Sequence, residues 1–427
     1  MELTFLTLLT LGGPLACSEK PEDEDEVATY LDAATVDALS VTRLKAHVDV
    51  LADDATGGRI PGSSGHASAR DYIAGELADI GLDPFGDDGF LHTYPTEQES
   101  GVYQLLDDGT VAPATYDTGT NLVGVLPGTD PALADQHIVV MAHYDHLGVT
   151  ADGDIYNGAF DDVAGVAALL EIARVLVSEG VQPRRSIIFL ITDEEEMGLE
   201  GAEAWLADQV VPYGDIAFGL SVDPVGRGVL PDYWPLVLMG LERSPTLLEA
   251  WRGFAELYAE MDVVFVHRDI IPVFASDQDE FYRVEDPIPA AWFTSPGMAF
   301  YHTTGDTPET IDYRSLRDQT RFLLQALAFF GDDDEVHAYQ GAPDIAPEHA
   351  ADVIPLIEGI LASDYPRTSE REEAQGYLDE LNAVVEADDI GALSMSQDAF
   401  FYAAIYFLVF VLPAEHIGDI PPPFPDE

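Results

Sequence analysis

The chain has 427 residues, enough for one large domain or for two domains of ordinary size. It carries 79 Asp and Glu residues against 18 Lys and Arg residues, a formal net charge of −61, and this balance excludes nucleic acid as an expected partner because phosphate binding needs clustered cations. The carboxylates are spread along the whole chain and are best tolerated in concentrated salt, so the composition predicts a saline habitat.

The N-terminus carries an apolar stretch, residues 3–16, that is too short to span a bilayer and is followed by Cys17, the only cysteine. We expect residues 1–17 to be a lipoprotein signal, with a lipid on Cys17 as the only membrane contact, and residues 18–28 to form an acidic tether. Pro14 stands where the lipobox usually has Leu, so a signal peptide cleaved nearby without a lipid remains the alternative. Either signal predicts export to the periplasm or the cell surface.

Two helices and a glycine-rich loop come next. Residues 41–51 and 64–80 have helical periodicity, and the loop between them, residues 57–65, lacks the Gly-Lys-Ser/Thr ending of a phosphate-binding loop. Residues 84–120 are polar and rich in turns, which predicts a hairpin excursion. Residues 121–126 then form a strand that ends at Pro127-Gly128.

The central stretch begins with an unbroken apolar run, residues 138–142, which is typical of a strand buried on both faces. Strand geometry places His143 and Asp145 on the same side, where the carboxylate can hold the imidazole in one tautomer. Asp161 then precedes an apolar helix over residues 163–179. A histidine at a strand end and an aspartate at the next helix start can converge on one cation, although a capped loop with a satisfied histidine gives the same pattern.

Apolar strands and helices alternate beyond this point. Strands are predicted over residues 186–192, 216–222 and 288–294, and helices over residues 201–207, 246–260 and 313–330. This alternation predicts an α/β fold with a mostly parallel central sheet and helices on both faces.

Polar residues follow the strand ends, which is where ligands bind in such sheets. His143 follows one predicted strand, Glu195 and Glu196 the next, and Asp223 a third, and the loop after the last strand ends at Tyr301-His302. Histidine and carboxylate sets without thiolates suit zinc in hydrolytic sites. Two histidines and three carboxylates are too many for one open catalytic zinc but suit two metals that share a bridging carboxylate, and one glutamate remains to take a proton from water.

The C-terminal part, residues 332–427, is predicted to be a helical extension of a catalytic domain that covers residues 29–331. Helical periodicity marks residues 347–361 and 369–387. Residues 399–412 are intensely apolar but too short to span a membrane, so we expect a buried helix that docks the extension onto the main domain.

Six stretches carry a family resemblance: AHYDHLG, NGAFDDVAG, DEEEMGLEGAEAW, SVDPVGR, SDQDEF and YHTTGDTPETIDY. In this order they resemble the co-catalytic zinc aminopeptidases of metallopeptidase family twenty-eight, relatives of bacterial leucyl aminopeptidase and of glutaminyl cyclase. With RIPGSSG, the resemblance covers roughly residues 39–330. It implies a three-layer sandwich fold of the zinc aminopeptidase type.

The resemblance also implies the role of each site residue. One of two Zn²⁺ ions is expected on His143 and Asp223, and the other on Glu196 and His302, with Asp161 as the bridge. Asp145 is expected to orient His143, Glu195 to act as the general base, and Tyr301 to help hold the oxyanion. Among three consecutive glutamates, only Glu195-Glu196 keeps the Glu-Glu-x-Gly-Leu spacing of the family.

The expected function is that of an exported aminopeptidase acting on peptides. A glutaminyl-peptide cyclotransferase shares the fold and ligand types but works at one zinc, so metal stoichiometry distinguishes the two. A non-catalytic surface binding protein on the same fold is the third alternative, and the retained ligands and Glu195 speak against it.

Overall fold

The computed structural model describes residues 30–96, 101–258, 261–270 and 275–389, together with residues 404 and 411–413. The expected signal, Cys17 and the acidic tether lie outside the described residues, as does most of the apolar stretch 399–412. Among the helices that are described, none has the length and apolar character needed to cross a membrane.

The described strands form a nine-stranded sheet and a separate hairpin. The strand bounds are β1 Asp83–Pro84, β2 Leu91–Pro95, β3 Tyr103–Leu105, β4 Val111–Pro113, β5 Thr118–Leu126, β6 His137–His143, β7 Ser186–Thr192, β8 Ile216–Val222, β9 Leu236–Met239, β10 Val263–Val266 and β11 Ala290–Thr294. The centre of the sheet consists of the parallel strands β7, β6, β8 and β11, and β9 and β10 follow at one edge. At the other edge, β5 pairs in antiparallel orientation with β7, β1 and β2.

Helices cover both faces of this sheet, as predicted. Their bounds are α1 Ala33–Asp37, α2 Val41–Leu51, α3 Ser64–Ile80, α4 Ala164–Ser178, α5 Glu200–Ala207, α6 Pro245–Glu256, α7 Gln278–Arg283, α8 Tyr313–Asp332, α9 Pro347–Asp352, α10 Ile354–Ala362 and α11 Thr368–Ala387. The larger core contains the apolar faces of α2, α3, α4, α6 and α8, whereas α5 and α7 pack into the smaller core on the opposite face. The predicted α/β fold with a mostly parallel central sheet is confirmed.

Strand β6 shows why an unbroken apolar run suits the centre of this sheet. Ile138 and Val140 lie in the larger core, while Val139 and Met141 lie in the smaller core. Successive side chains of a strand point to opposite faces, so both sets must be apolar when helices cover both faces. The first polar residue after this run, His143, stands where the strand leaves the core.

The predicted hairpin excursion, residues 84–120, is more varied than expected. Strands β1 and β2 add to the main sheet by pairing with β5, and β3 and β4 form the hairpin. The unpredicted strands β9 and β10 are four residues each, too short for a clear periodic signal.

The C-terminal region is helical, as predicted, and the segment 347–361 forms two helices, α9 and α10, that meet at Val353. Pro355 explains the break, since its ring clashes with the preceding turn and it has no N–H to donate. Tyr233 donates its hydroxyl hydrogen to the Pro355 carbonyl (3.3 Å), and the buried Val353 and Ile360 join the larger core.

Candidate metal centre

Residues from five segments meet beyond the carboxyl ends of the central strands. His143 is the last residue of β6, the segment 193–196 follows β7, and Asp223 follows β8. Asp161 lies in a short irregular helical turn before α4, and His302 lies in the loop after β11. The sheet topology therefore brings together all the residues that the sequence predicted as metal ligands.

The first group of donors is fully buried. The His143 Nε2 atom lies 3.0 Å from Asp161 Oδ1 and 3.6 Å from Asp223 Oδ1. These three side chains each offer a ligand atom, all within 4.8 Å of one another. One imidazole and two carboxylates in this arrangement suit a zinc ion.

A second group shares Asp161 with the first. The His302 Nε2 atom lies 3.1 Å from Asp161 Oδ2 and 2.9 Å from Glu196 Oε2. Asp161 thus presents Oδ1 to His143 and Oδ2 to His302, the arrangement required of a bridging carboxylate. The His302 side chain is 37% exposed, so this side of the cluster opens to solvent.

The three residues predicted to assist the reaction also lie at this cluster. A Glu195 carboxylate oxygen lies 3.9 Å from His143 Nε2, and the Tyr301 ring stacks on His302 with 3.8 Å between centroids. Asp145 accepts the backbone N–H groups of Glu195 (3.1 Å) and Glu196 (3.3 Å). Its Oδ1 lies 3.5 Å from His143 Nδ1, and its backbone oxygen is closer, at 3.2 Å. Asp145 therefore positions both glutamates as well as the histidine.

Burial and neighbouring charges both shift the pKa values of the site residues. Burial raises the pKa of Glu195 well above its usual value, and neighbouring carboxylates add to the rise. Burial lowers the pKa of both histidines, but the surrounding carboxylates outweigh it, so the pKa is well above its usual value for His143 and about 10 for His302. Burial raises the pKa of Asp161 as well, yet the close approach of the His143 and His302 imidazoles outweighs that effect and holds the pKa well below its usual value. The shared carboxylate is thereby kept ionised.

Asp161 and Asp223 are held in place by residues that lie in the quoted stretches but to which the sequence assigned no role. Asp306 accepts the backbone N–H of Asp161 (3.1 Å) and forms a buried ion pair with Arg227 (2.6 Å). Ser276 donates its hydroxyl hydrogen to Asp223 Oδ2. These contacts link positions that are 53 to 145 residues apart, so the motifs alone do not indicate which residues pair.

Arg59, from the RIPGSSG stretch, is fully buried beneath the site. Its guanidinium donates to the backbone oxygens of Tyr144 (2.8 Å), Asn157 (2.6 Å) and Gly158 (3.0 Å), and of Leu51 (2.9 Å). It thereby joins the segment after β6 to the segment before Asp161.

His146 is the site residue that sequence reasoning missed. It belongs to the same AHYDHLG stretch as His143, and that stretch with its second histidine was the available signal. One ring nitrogen of His146 and one carboxylate oxygen each of Asp161 and Glu196 form a further set of three possible ligand atoms, all within 4.8 Å of one another. Buried atoms of these three side chains lack hydrogen-bond partners within the described structure: Nδ1 and Nε2 of His146, Oδ2 of Asp161 and Oε1 of Glu196. Partnerless nitrogen and oxygen donors that converge in this way fit a bound cation.

Comparison with known proteins agrees with this picture. Residues 121–327, which include all the predicted ligands and Glu195, match the model of peptidase family M28. Leupeptin-inactivating enzyme 1 of Streptomyces exfoliatus is 29% identical over 347 residues, 77% of this chain and 70% of that protein. The vacuolar membrane protease of Clavispora lusitaniae is 28% identical over 247 residues, 54% of this chain, and the alignment spans 21% of that longer relative. The predicted family resemblance is confirmed.

A solved structure shows the same fold. BSAP, a zinc aminopeptidase from Bacillus subtilis, superposes with a TM-score of 0.53 at 17% sequence identity, covering 71% of this chain and 99% of that one.

Proposed function

From the match to peptidase family M28, which supports a peptidase-type hydrolase, we propose that this chain is an exported zinc aminopeptidase that removes N-terminal residues from peptides. His143 and Asp223 would hold one Zn²⁺, Glu196 and His302 the other, and Asp161 would bridge the two. Zinc ions in these positions would make a water molecule more acidic and stabilise negative charge on the carbonyl oxygen of the substrate. The observation that carries the proposal is the placement of the two Asp161 oxygens toward different histidines.

Glu195 is proposed as the general base. Its carboxylate lies beside the first group of donors but does not belong to either ligand set, so it can accept a proton from the attacking water and pass it to the leaving amine. Asp145 would keep the carboxylate in place through the Glu195 backbone N–H, and Tyr301, stacked on His302, would help to hold the developing oxyanion.

Export is the part of the proposal that depends on the N-terminal sequence. The apolar stretch 3–16, Cys17 and the acidic residues after it support a signal with a lipid-bearing cysteine. Fractionation of cells that express the wild type or Cys17→Ser tests both points. Membrane association that is lost in Cys17→Ser supports the lipid, and retention of both forms in the cytoplasm contradicts export.

The enzymatic proposal is tested with purified protein, a panel of amino-acid amides, and matched peptides with free or blocked N-termini. We expect hydrolysis of substrates with a free amine, no hydrolysis of blocked ones, and loss of both rates with a chelator. Cyclisation of N-terminal glutamine without hydrolysis would instead support a cyclotransferase. Zinc-loaded protein with no turnover on the whole panel would support a binding protein.

A further inference from the structure

Burial of the His146 ring without a ligand would lower the stability of the folded protein. Its side chain is 0% exposed, and within the described structure neither ring nitrogen has a hydrogen-bond partner. A polar group buried without a partner costs roughly 1–3 kcal/mol, so such atoms in a folded protein call for an explanation.

The ring faces the second group of donors. The His146 Nδ1 atom lies 2.6 Å from Glu196 Oε1, yet the two atoms do not have the geometry of a hydrogen bond. The His302 ring lies on the same side, with 6.0 Å between the two ring centroids. Because His302 Nε2 also lies 3.1 Å from Asp161 Oδ2 and 2.9 Å from Glu196 Oε2, two imidazoles contact the same two carboxylates.

The backbone around His146 is shaped to admit the ring. A Cβ atom at Gly158 would lie 2.5 Å from Cδ2 and 2.6 Å from Cγ of His146, so a larger residue there would clash with the ring. Gly158 also has a φ of +57°, a conformation that glycine adopts at little cost. Arg59 holds both His146 and Gly158 in place. Its guanidinium donates to the Gly158 carbonyl (3.0 Å), and its backbone carbonyl accepts the His146 backbone N–H (3.4 Å).

We propose that His146 is a ligand of the second cation, together with Asp161, Glu196 and His302. This inference depends on the proposed function only in that it takes a cation to bind there. The first position has one imidazole and two carboxylates, whereas the second has two of each. Because imidazole nitrogen suits zinc and cobalt better than magnesium or manganese, the second position should be the more selective of the two.

The test compares full-length wild type with His146→Asn. The control is His47→Asn, which replaces another buried histidine whose Nδ1 bonds to Tyr72 and which lies in neither donor group. Metal-depleted proteins are titrated with Co²⁺ and followed by visible absorption, and zinc content is measured at fixed free zinc. We expect two equivalents in the wild type and in the control. In His146→Asn, the second equivalent should bind at least ~10-fold more weakly, in line with lost metal-site contacts, with an altered cobalt spectrum.

A measurement on the wild type covers the case in which the variant fails to fold. In protein labelled with ¹⁵N-histidine, zinc should shift the ring signals of three histidines through coordination, and a ¹¹³Cd-loaded sample should show metal–nitrogen coupling for the same three. Coupling to only two histidines, or a second cobalt equivalent in His146→Asn identical to that of the wild type, overturns the inference. Such results leave the proposed function standing, whereas wild type that binds no metal would contradict both.

Discussion

At the scale of single residues, three consecutive glutamates lie in three different environments. Glu195 lies 3.9 Å from His143, and Glu196 lies 2.9 Å from His302. Glu194 has a φ of +57°, and burial with the charge of Asp193 raises its pKa to about 8. The backbone turn at Glu194 thus separates one acid from the donor groups and directs the next two toward them.

Replacement of Glu195 tests the proposed base. Glu195→Gln keeps the shape of the side chain but cannot accept a proton, so zinc should still bind while kcat falls by at least ~10²-fold. Glu194→Gln is the matched control and should keep most of the activity. Retained activity in Glu195→Gln with loss in Glu194→Gln would show that the assignment is wrong by one residue.

His47 provides a pH prediction away from the metal centre. Burial, and then the positive charges of Arg43 and Arg174, lower its pKa from 6.5 to about 4. Below pH 6.5 the unfolded chain takes up a proton that the folded protein does not, so stability falls as the pH falls. Between pH 8 and pH 5 the loss from this group should be about 2 kcal/mol.

The measurement is the unfolding free energy of wild type and His47→Gln at both pH values, which lie above the isoelectric point near 4.1. Other groups contribute equally to both proteins, so the difference between them isolates His47. The gap between the two should narrow or reverse at pH 5. A gap that stays constant contradicts the shifted pKa.

At the scale of elements, strong local patterns were predicted well from sequence. Helices α2 and α3 and strands β7 and β8 have the predicted bounds, because each is a periodic or unbroken apolar segment with clear ends. The contacts of Arg59 and Asp306 could not be predicted, since their partners are up to 146 residues away in the chain. The ligand positions were predictable because strand ends and motif spacing mark them, but the residues that hold them in place depend on tertiary structure.

Replacement of Arg59 tests how much its hydrogen bonds between distant segments contribute to stability. Arg59→Met removes a donor from four buried backbone carbonyl groups, and although Leu51 keeps the Thr56 hydroxyl and Gly158 the Val163 N–H, the unfolding free energy should fall by about 3 kcal/mol. Zinc affinity should fall as well, because both joined segments carry ligands. The control is Arg70→Met, since Arg70 bonds to its exposed neighbour Asp71. Equal stability and zinc affinity in the two variants would contradict the role of Arg59.

At the scale of the whole molecule, the few cations are unevenly placed. Arg59, Arg185 and Arg227 are among the largest fully buried side chains, so these three charges are unavailable at the surface. Among the described residues, buried Asp and Glu side chains outnumber the buried Arg side chains, yet the many remaining carboxylates of this chain, whose formal charge is −61, still dominate the surface. Their repulsion disfavours the compact state and is weakened by salt.

Salt dependence follows from this distribution. About 1 M salt shortens the Debye length to ~3 Å, so the melting temperature of zinc-loaded protein should rise steeply between low and molar NaCl. Activity should rise over the same range. A parallel series at constant ionic strength with different salts separates screening from specific ion effects. A flat or falling melting temperature would contradict the saline habitat but not the enzyme assignment.

The most direct test of the central claim is a zinc titration of peptide hydrolysis. Protein is freed of metal with a chelator, its metal content is confirmed by elemental analysis, and zinc is returned in steps while hydrolysis of the best amino-acid amide is followed. The two donor groups sharing Asp161 predict that the rate is negligible at the start and rises until two zinc ions are bound per chain. Full turnover by protein that elemental analysis shows to be free of metal would contradict the account.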